Sequence, residues 1–337
     1  MKSYSLWIDK KKQAKIYQKK LVYNKNNKTV LVKTIYSGIS KGTEKLVSSK
    51  SVSQDQFELM KAPFQEGSFN LPIKYGYINV GNIIDGPRKY INKKIFSLYP
   101  HQDLYEISIQ NLIFLPKGNL RKYVLTANME TAINIFWDAQ SKSNHKILIV
   151  GLGSVGLLTA FFFKINGYKN VYVFDNNKNK RKIANYLGLN FIDIRKIEKI
   201  DVAINTTANY KVLNSLMEKL SIEGKIVEAS WYGKNKGEVA LGGYFHSKRL
   251  KIISSQVSKI PKYMKNKYDF EGRLKLAIKS LKNSKLEKLI TSESNFFDLE
   301  KDYYKILQNK DTIMPVSYTH LRAHETVLDL VCRLLLE

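Results

Sequence analysis

Cysteine is almost absent: Cys332 is the only one among 337 residues. That excludes a disulfide framework and any zinc site built on several thiolates. Arginine is scarce too, with 8 residues among the 56 basic ones. Proteins that read bases or clamp phosphate backbones favour arginine and gather their charge on one face. Here the formal net charge of +27 comes from lysines spread along the whole chain beside many Asn and Ile. The densest runs, 10–20 and 259–267, carry no nucleic-acid motif, so they read as solvated surface and no specific nucleic-acid partner is expected. Long apolar runs are missing as well, none approaching the ~20 residues that cross a bilayer. Residues 1–7 lack the apolar core of a leader. No membrane association and a cytoplasmic location are therefore expected. What remains is a globular composition, 44 % hydrophobic and 12 % aromatic, in a chain long enough for two domains with their own cores.

The strongest positive signal lies mid-chain. Lys146-Ile147-Leu148-Ile149-Val150 is a buried-strand pattern that runs into Gly151-Leu152-Gly153-Ser154-Val155-Gly156 and then an apolar helix over 157–165. A second strand, Asn170-Val171-Tyr172-Val173-Phe174, ends on Asp175, 19 residues past Gly156. In such a turn Gly151 allows the tight bend, Gly153 lets backbone approach a pyrophosphate, and Gly156 lets helix pack on strand. Ser154 and Val155 open the helix, whose free N–H groups and dipole favour a diphosphate. Asp175 would accept both ribose hydroxyls and repel a 2′-phosphate. The pattern predicts dinucleotide binding, NAD ahead of NADP. Lys178, Lys180 and Arg181 lie just beyond; they would admit NADP if they curl back, and are otherwise surface residues of the next helix.

Residues 1–120 read as short strands, among them 14–17, 29–36, 74–82 and 94–99, with a turn at 24–27 between the first two and a short helix at 54–60. A helix over 122–138 follows. Strands at 147–150, 171–174, 202–205, 224–228 and 250–254 then alternate with helices at 156–166, 178–187 and 210–220, which predicts a doubly wound parallel sheet. Thr206 and Ser230, at ends of the later strands, are expected to line the cofactor by the switch-point rule. Two helices, 265–281 and 298–310, complete the pattern. From 317 to 337 there is no Lys, Asn or Ile, while Cys332 and two of the five His fall there. This stretch reads as a non-native tail, and His320 and His324, although four residues apart, are not taken as metal ligands.

Several motifs surround that core: Gly38-Ile39-Ser40-Lys41-Gly42-Thr43-Glu44, Lys74-Tyr75-Gly76-Tyr77, Leu98-Tyr99-Pro100-His101-Gln102, Asn128-Met129-Glu130-Thr131-Ala132 and Ser230-Trp231-Tyr232-Gly233. With them, residues 5–315 resemble the medium-chain dehydrogenase/reductase superfamily, and within it the 2-desacetyl-2-hydroxyethyl bacteriochlorophyllide dehydrogenase-like branch. The resemblance implies an α/β fold: a Rossmann doubly wound parallel sheet over 121–255 plus a β-rich GroES-like catalytic domain over 1–120, to which segment 256–316 returns. It also implies a cofactor in the cleft between the domains, a homodimer, and an NAD(P)-dependent oxidoreductase acting on a small secondary alcohol/ketone pair.

Two departures from zinc-type relatives bear on mechanism. Their cysteine is replaced by Ser40, and their Gly-His-Glu by Gly76-Tyr77-Ile78. Catalytic zinc takes about three Cys, His or carboxylate ligands, so zinc is not expected; Glu44, His101 and Glu130 would be an O/N/O set if they met. Without a metal, an oxyanion falls to hydrogen-bond donors and the proton to a general acid/base. Tyr77 is the first candidate, unless it is a core tyrosine of a strand. His101 would relay a proton or pack a loop. Ser40 and Thr43 would hold substrate or ribose hydroxyls, or cap a helix starting near 43. A zinc-free NADPH reductase of enones or quinones, and a dinucleotide-binding protein without catalysis, are the alternative functions.

Overall fold

The protein is described here by a computed structural model covering residues 1–319. Its glycine turn sits where the sequence puts it. Ile147–Val150 is buried at every position and takes the centre of a six-stranded sheet. Across that sheet the order is Asn190–Phe191, Val171–Phe174, Ile147–Val150, Ile200–Asn205, Leu220–Glu228 and Lys251–Ser254, every neighbour pair parallel. Chain direction away from the first strand reverses between Ile147–Val150 and Ile200–Asn205, so a crevice opens at their carboxyl ends. Helices α3 (Ser154–Ile165), α4 (Lys180–Tyr186) and α5 (Tyr210–Lys219) make the crossovers, and α2 (Thr126–Ala139) packs on α3. Helix α3 is apolar nearly all round because both of its sides are covered, with Leu157, Leu158, Phe161 and Phe163 buried.

The β-rich part holds two sheets. One is a hairpin of Lys2–Ile8 and Ala14–Lys20 extended by Ile73–Lys74 and Glu66–Gly67. The other is seven-stranded, with Thr29–Gly38 pairing Asn79–Asp85, Leu104–Ser108 and Met314–Tyr318. Residues 24–27 therefore join two sheets and do not turn between paired strands. The reason is that Ala14–Lys20 finds its partner upstream, in Lys2–Ile8, a strand concealed by its five polar or aromatic residues. The strand expected at 74–82 is interrupted: Gly76 sits at φ +116° between Ile73–Lys74 and Asn79–Asp85. The helix expected at 54–60 is a single 3₁₀ turn at Gln54–Gln56, and that at 122–138 begins as a 3₁₀ turn at Arg121–Leu125 before α2.

Helix α1 (Lys41–Ser48) follows directly on Thr29–Gly38, and α6 (Phe270–Ser280) and α7 (Leu299–Gln308) lie in the C-terminal segment. That segment also supplies Ile290–Asn295 and Met314–Tyr318 to the seven-stranded sheet. Ser317 and Tyr318, assigned by composition to the tail, pair with Ser37 and Tyr36; His320, His324 and Cys332 lie outside the described residues. No helix among the described residues is long and apolar enough to cross a membrane.

Candidate active site and dinucleotide cleft

Gly151 takes φ +95°, a conformation that disfavours any side chain, and a Cβ there would meet the Thr206 hydroxyl at 2.7 Å. A Cβ on Gly156 would fall 1.9 Å from the Gly151 carbonyl oxygen, so only glycine lets α3 approach the turn this closely. Around Gly153 the space is open to beyond 4 Å. Gly153 is also the N-cap of α3 and brings no capping side chain. The first N–H groups of the helix, Ser154, Val155 and Gly156, have no intrahelical acceptor by geometry. A cleft of about 700 Å³ begins here, lined by Gly153, Ser154, Asp175, Lys180, Lys41 and Thr312 among others. These residues fit a dinucleotide diphosphate: unpaired donors, room for backbone approach, and an acid one strand away.

Asp175 holds its carboxylate in place by accepting the Leu152 N–H at 2.6 Å and the Asn177 N–H at 2.7 Å. Lys180 is buried and donates to the Asp311 carbonyl at 2.8 Å, with burial pulling its pKa down. Arg181 lies over the Phe191 ring at 5.8 Å, and Lys178 is exposed. Two of the three cations that would receive a 2′-phosphate are thus engaged elsewhere. Lys41, not singled out from sequence, enters the same cleft from α1, donating to the carbonyls of Asn309 and Thr312. Burial and the nearby Lys180 bring its pKa down to about 8.

Thr206 and Ser230 stand at the strand ends, but their hydroxyls turn inward. Thr206 donates to the Gly151 carbonyl at 2.7 Å and braces the glycine turn. The Ser230 oxygen accepts the Ala208 N–H at 2.9 Å and lies 3.3 Å from the Asn205 carbonyl. Between them sits Glu228, which sequence reasoning passed over. Its carboxylate receives Asn205 Nδ2 at 2.7 Å and the Tyr232 hydroxyl at 3.1 Å, and burial raises its pKa.

The second cluster is built on the turn between Thr29–Gly38 and α1. The Tyr77 hydroxyl donates to Ser40 Oγ at 2.6 Å and lies 3.1 Å from Thr43 Oγ1, so three of the four sequence candidates meet. Ser40 stands at the N-cap of α1 without capping it; the side chain serves Tyr77 instead. Burial raises the Tyr77 pKa, and the two hydroxyl contacts oppose that shift. The fourth candidate, His101, does not touch Tyr77. Its Nδ1 is 2.7 Å from Ser37 Oγ and its Nε2 is 3.0 Å from Glu44 Oε2. Glu44 also accepts the Tyr303 hydroxyl at 2.8 Å and, through Oε1, the Ser40 N–H at 2.7 Å. Glu44, His101 and Tyr303 are each 98 % or more buried. Gly76 makes room for the imidazole, since a Cβ there would lie 2.9 Å from the ring. Tyr303 gave no sequence signal beyond its place on an amphipathic helix.

Glu130 does not join Glu44 and His101. It is buried against Arg273, which donates from Nε at 3.0 Å and links α2 to α6. Among the described residues, no three His, Cys, Asp or Glu side chains are grouped to hold a metal ion.

No protein-family model matches the chain, and no curated protein matches it. Solved structures do. L-idonate 5-dehydrogenase from Escherichia coli is similar at TM-score 0.76 and 14 % identity, over 94 % of this chain and 98 % of that one. 2R,3R-butanediol dehydrogenase from Bacillus subtilis gives TM-score 0.73 and 15 % identity, over 94 % and 100 %. Acetophenone reductase from Geotrichum candidum, solved with NAD, gives 0.72 and 14 %, over 94 % and 97 %. Likeness at such identity speaks for the fold, and it extends over both domains: the chain has the Rossmann-plus-GroES-like fold of the medium-chain dehydrogenases that its motifs resemble.

Proposed function

We propose that this protein is an NAD(H)-preferring oxidoreductase that interconverts a small secondary alcohol and its ketone without zinc, with Tyr77 as the proton-transferring group. The observation that carries the reading is the Tyr77–Ser40–Thr43 triangle of hydroxyls, standing where zinc-type relatives carry a thiolate and an imidazole. Neutral hydroxyls are poor zinc ligands, and a phenol whose pKa is raised by burial keeps its proton at neutral pH. The donor set suits an acid, not a metal.

A reduced nicotinamide, when bound, supplies the hydride. Gly151, Gly153, Ser154, Val155 and Gly156 would hold its diphosphate and Asp175 the adenosine ribose. Thr206 and Ser230 act from behind, fixing the turn and the strand ends. Tyr77 delivers its proton to the carbonyl oxygen, and the Ser40 and Thr43 hydroxyls rotate to donate to the phenolate left behind, the stabilisation an oxyanion needs. Glu44 anchors the Ser40 backbone, and His101 and Tyr303 anchor Glu44. His101 is on this reading a positioning residue and not a relay. Because burial holds Tyr77 protonated, ketone reduction should run evenly through neutral pH, while alcohol oxidation should climb only in alkali above the ordinary phenol range, where the phenolate forms.

Side-by-side titration of NADH and NADPH, followed by a panel of ketones, tests the reading. Tight NADH binding and turnover cut ~10²-fold or more in Tyr77→Phe, with cofactor affinity unchanged, support it. NADPH preference with activity on conjugated alkenes would move the assignment to an enone reductase. Dinucleotide binding without turnover on any carbonyl would leave a binding protein.

A further inference from the structure

Asn128, in the first turn of α2, is 97 % buried, and its side-chain oxygen has no hydrogen-bond partner. Its Nδ2 lies 3.2 Å from Ser154 Oγ. Ser154 opens α3, a helix of 12 residues, and lines the cleft. The proton of the Ser154 hydroxyl has no acceptor among the described residues.

Resting on the dinucleotide reading above, we infer that Asn128 is a positioning residue for the diphosphate: by donating to Ser154 Oγ, it directs the Ser154 proton outward to a phosphate oxygen. A hydroxyl that accepts from one side is left to donate on the other. Turned over, the same amide would accept the Ser154 proton and present it no longer to the ligand. One orphaned atom persists in either orientation, at a cost that natural cores seldom carry without reason. A bound anion selects the orientation seen here, because Asn128 Nδ2, Ser154 Oγ and the phosphate oxygen then form one directed chain. Asn128 thereby sets the polarity of the Ser154 hydroxyl without itself touching the ligand.

Calorimetric titration of the wild-type protein, N128A, S154A and the double variant with NADH, ADP and adenosine tests this. N128A should weaken NADH and ADP roughly tenfold and leave adenosine, which has no diphosphate, unchanged. S154A should match it, and the double variant should lose no more than either single one. N128D, which takes the Ser154 proton and adds a negative charge, should weaken the two diphosphate ligands further still. Unchanged NADH affinity in N128A, equal losses for ADP and adenosine, or additive losses in the double variant would each overturn the inference while the wild-type titration left the dinucleotide reading intact. Failure of the wild-type protein to bind NADH or ADP would overturn both. Ser154 is partly exposed, so S154A keeps the test alive should N128A fold poorly.

Discussion

Replacing Glu44 by alanine should destabilise the catalytic domain far more than the loss of one surface carboxylate would. Three donors end on Glu44: the Ser40 N–H at 2.7 Å, the Tyr303 hydroxyl at 2.8 Å and a His101 ring nitrogen at 3.0 Å. All three sit where water does not reach, and a stranded buried donor costs about 1–3 kcal/mol. Even at the low end the three sum to about 3 kcal/mol, which for a domain of this size is a fall in unfolding midpoint of about 6–12 °C. Tyr303→Phe is the internal control. It removes a donor without stranding one, leaves Glu44 two partners, and should cost about 1 kcal/mol. Thermal melts followed by near-UV circular dichroism separate the two variants. Turnover should follow in the same order, since the Ser40 backbone bond fixes the oxygen that receives Tyr77. An E44A midpoint within about 2 °C of wild type would refute the network, as would a Tyr303→Phe loss as large as that of E44A.

Other variants probe the cleft and the junction. Gly156→Ala places a methyl 1.9 Å from the Gly151 carbonyl, so α3 must back away and NADH affinity should fall by more than tenfold in equilibrium titrations. Lys41, with its pKa near 8, carries its charge below that value and loses it above. NADH affinity should therefore decline as the pH rises through about 8, and Lys41→Gln should flatten that dependence in a titration series. Arg273→Met leaves the Glu130 carboxylate buried without its cation, a loss of about 3–5 kcal/mol. Burial already raises the Glu130 pKa, so the deficit should ease as the pH falls and the carboxyl takes up a proton; melts at acid and neutral pH would show it.

The parts of this molecule legible in the sequence are those whose physics is local. A strand, a glycine turn, a helix and a second strand ending on Asp175 occupy one continuous stretch, and each glycine there answers to a clash a few residues away. The alternation beyond it sets the parallel order of the sheet. Ser40 and Tyr77 could be brought together through the resemblance, because they stand at positions where zinc-type relatives keep ligands; Thr43 joins them as a hydroxyl one helical turn on from Ser40. What the sequence hid has long span. Lys2–Ile8 carries too many polar residues to announce a strand, and is one only because Ala14–Lys20 and Ile73–Lys74 flank it. Glu44, His101 and Tyr303 meet across separations of 57 and 259 residues, so nothing near any of them signals the other two. His101, after a Tyr-Pro turn, reads from sequence as a relay or as a packing residue, and the slot that Gly76 opens for its ring has no local signature.

Met314–Tyr318 has a consequence for how the protein is made. This strand lies between Thr29–Gly38 and Ile290–Asn295 in the seven-stranded sheet, so the domain begun first is closed by nearly the last residues described. During synthesis the Rossmann half, whose strands and helices are contiguous, can condense while the earlier half still waits with one flank of Thr29–Gly38 unpaired. Such an open strand edge is a template for wrong pairing. The order of folding would then run against the order of translation, and a nascent chain stalled before residue 314 would display a finished nucleotide-binding half beside a catalytic half unable to close.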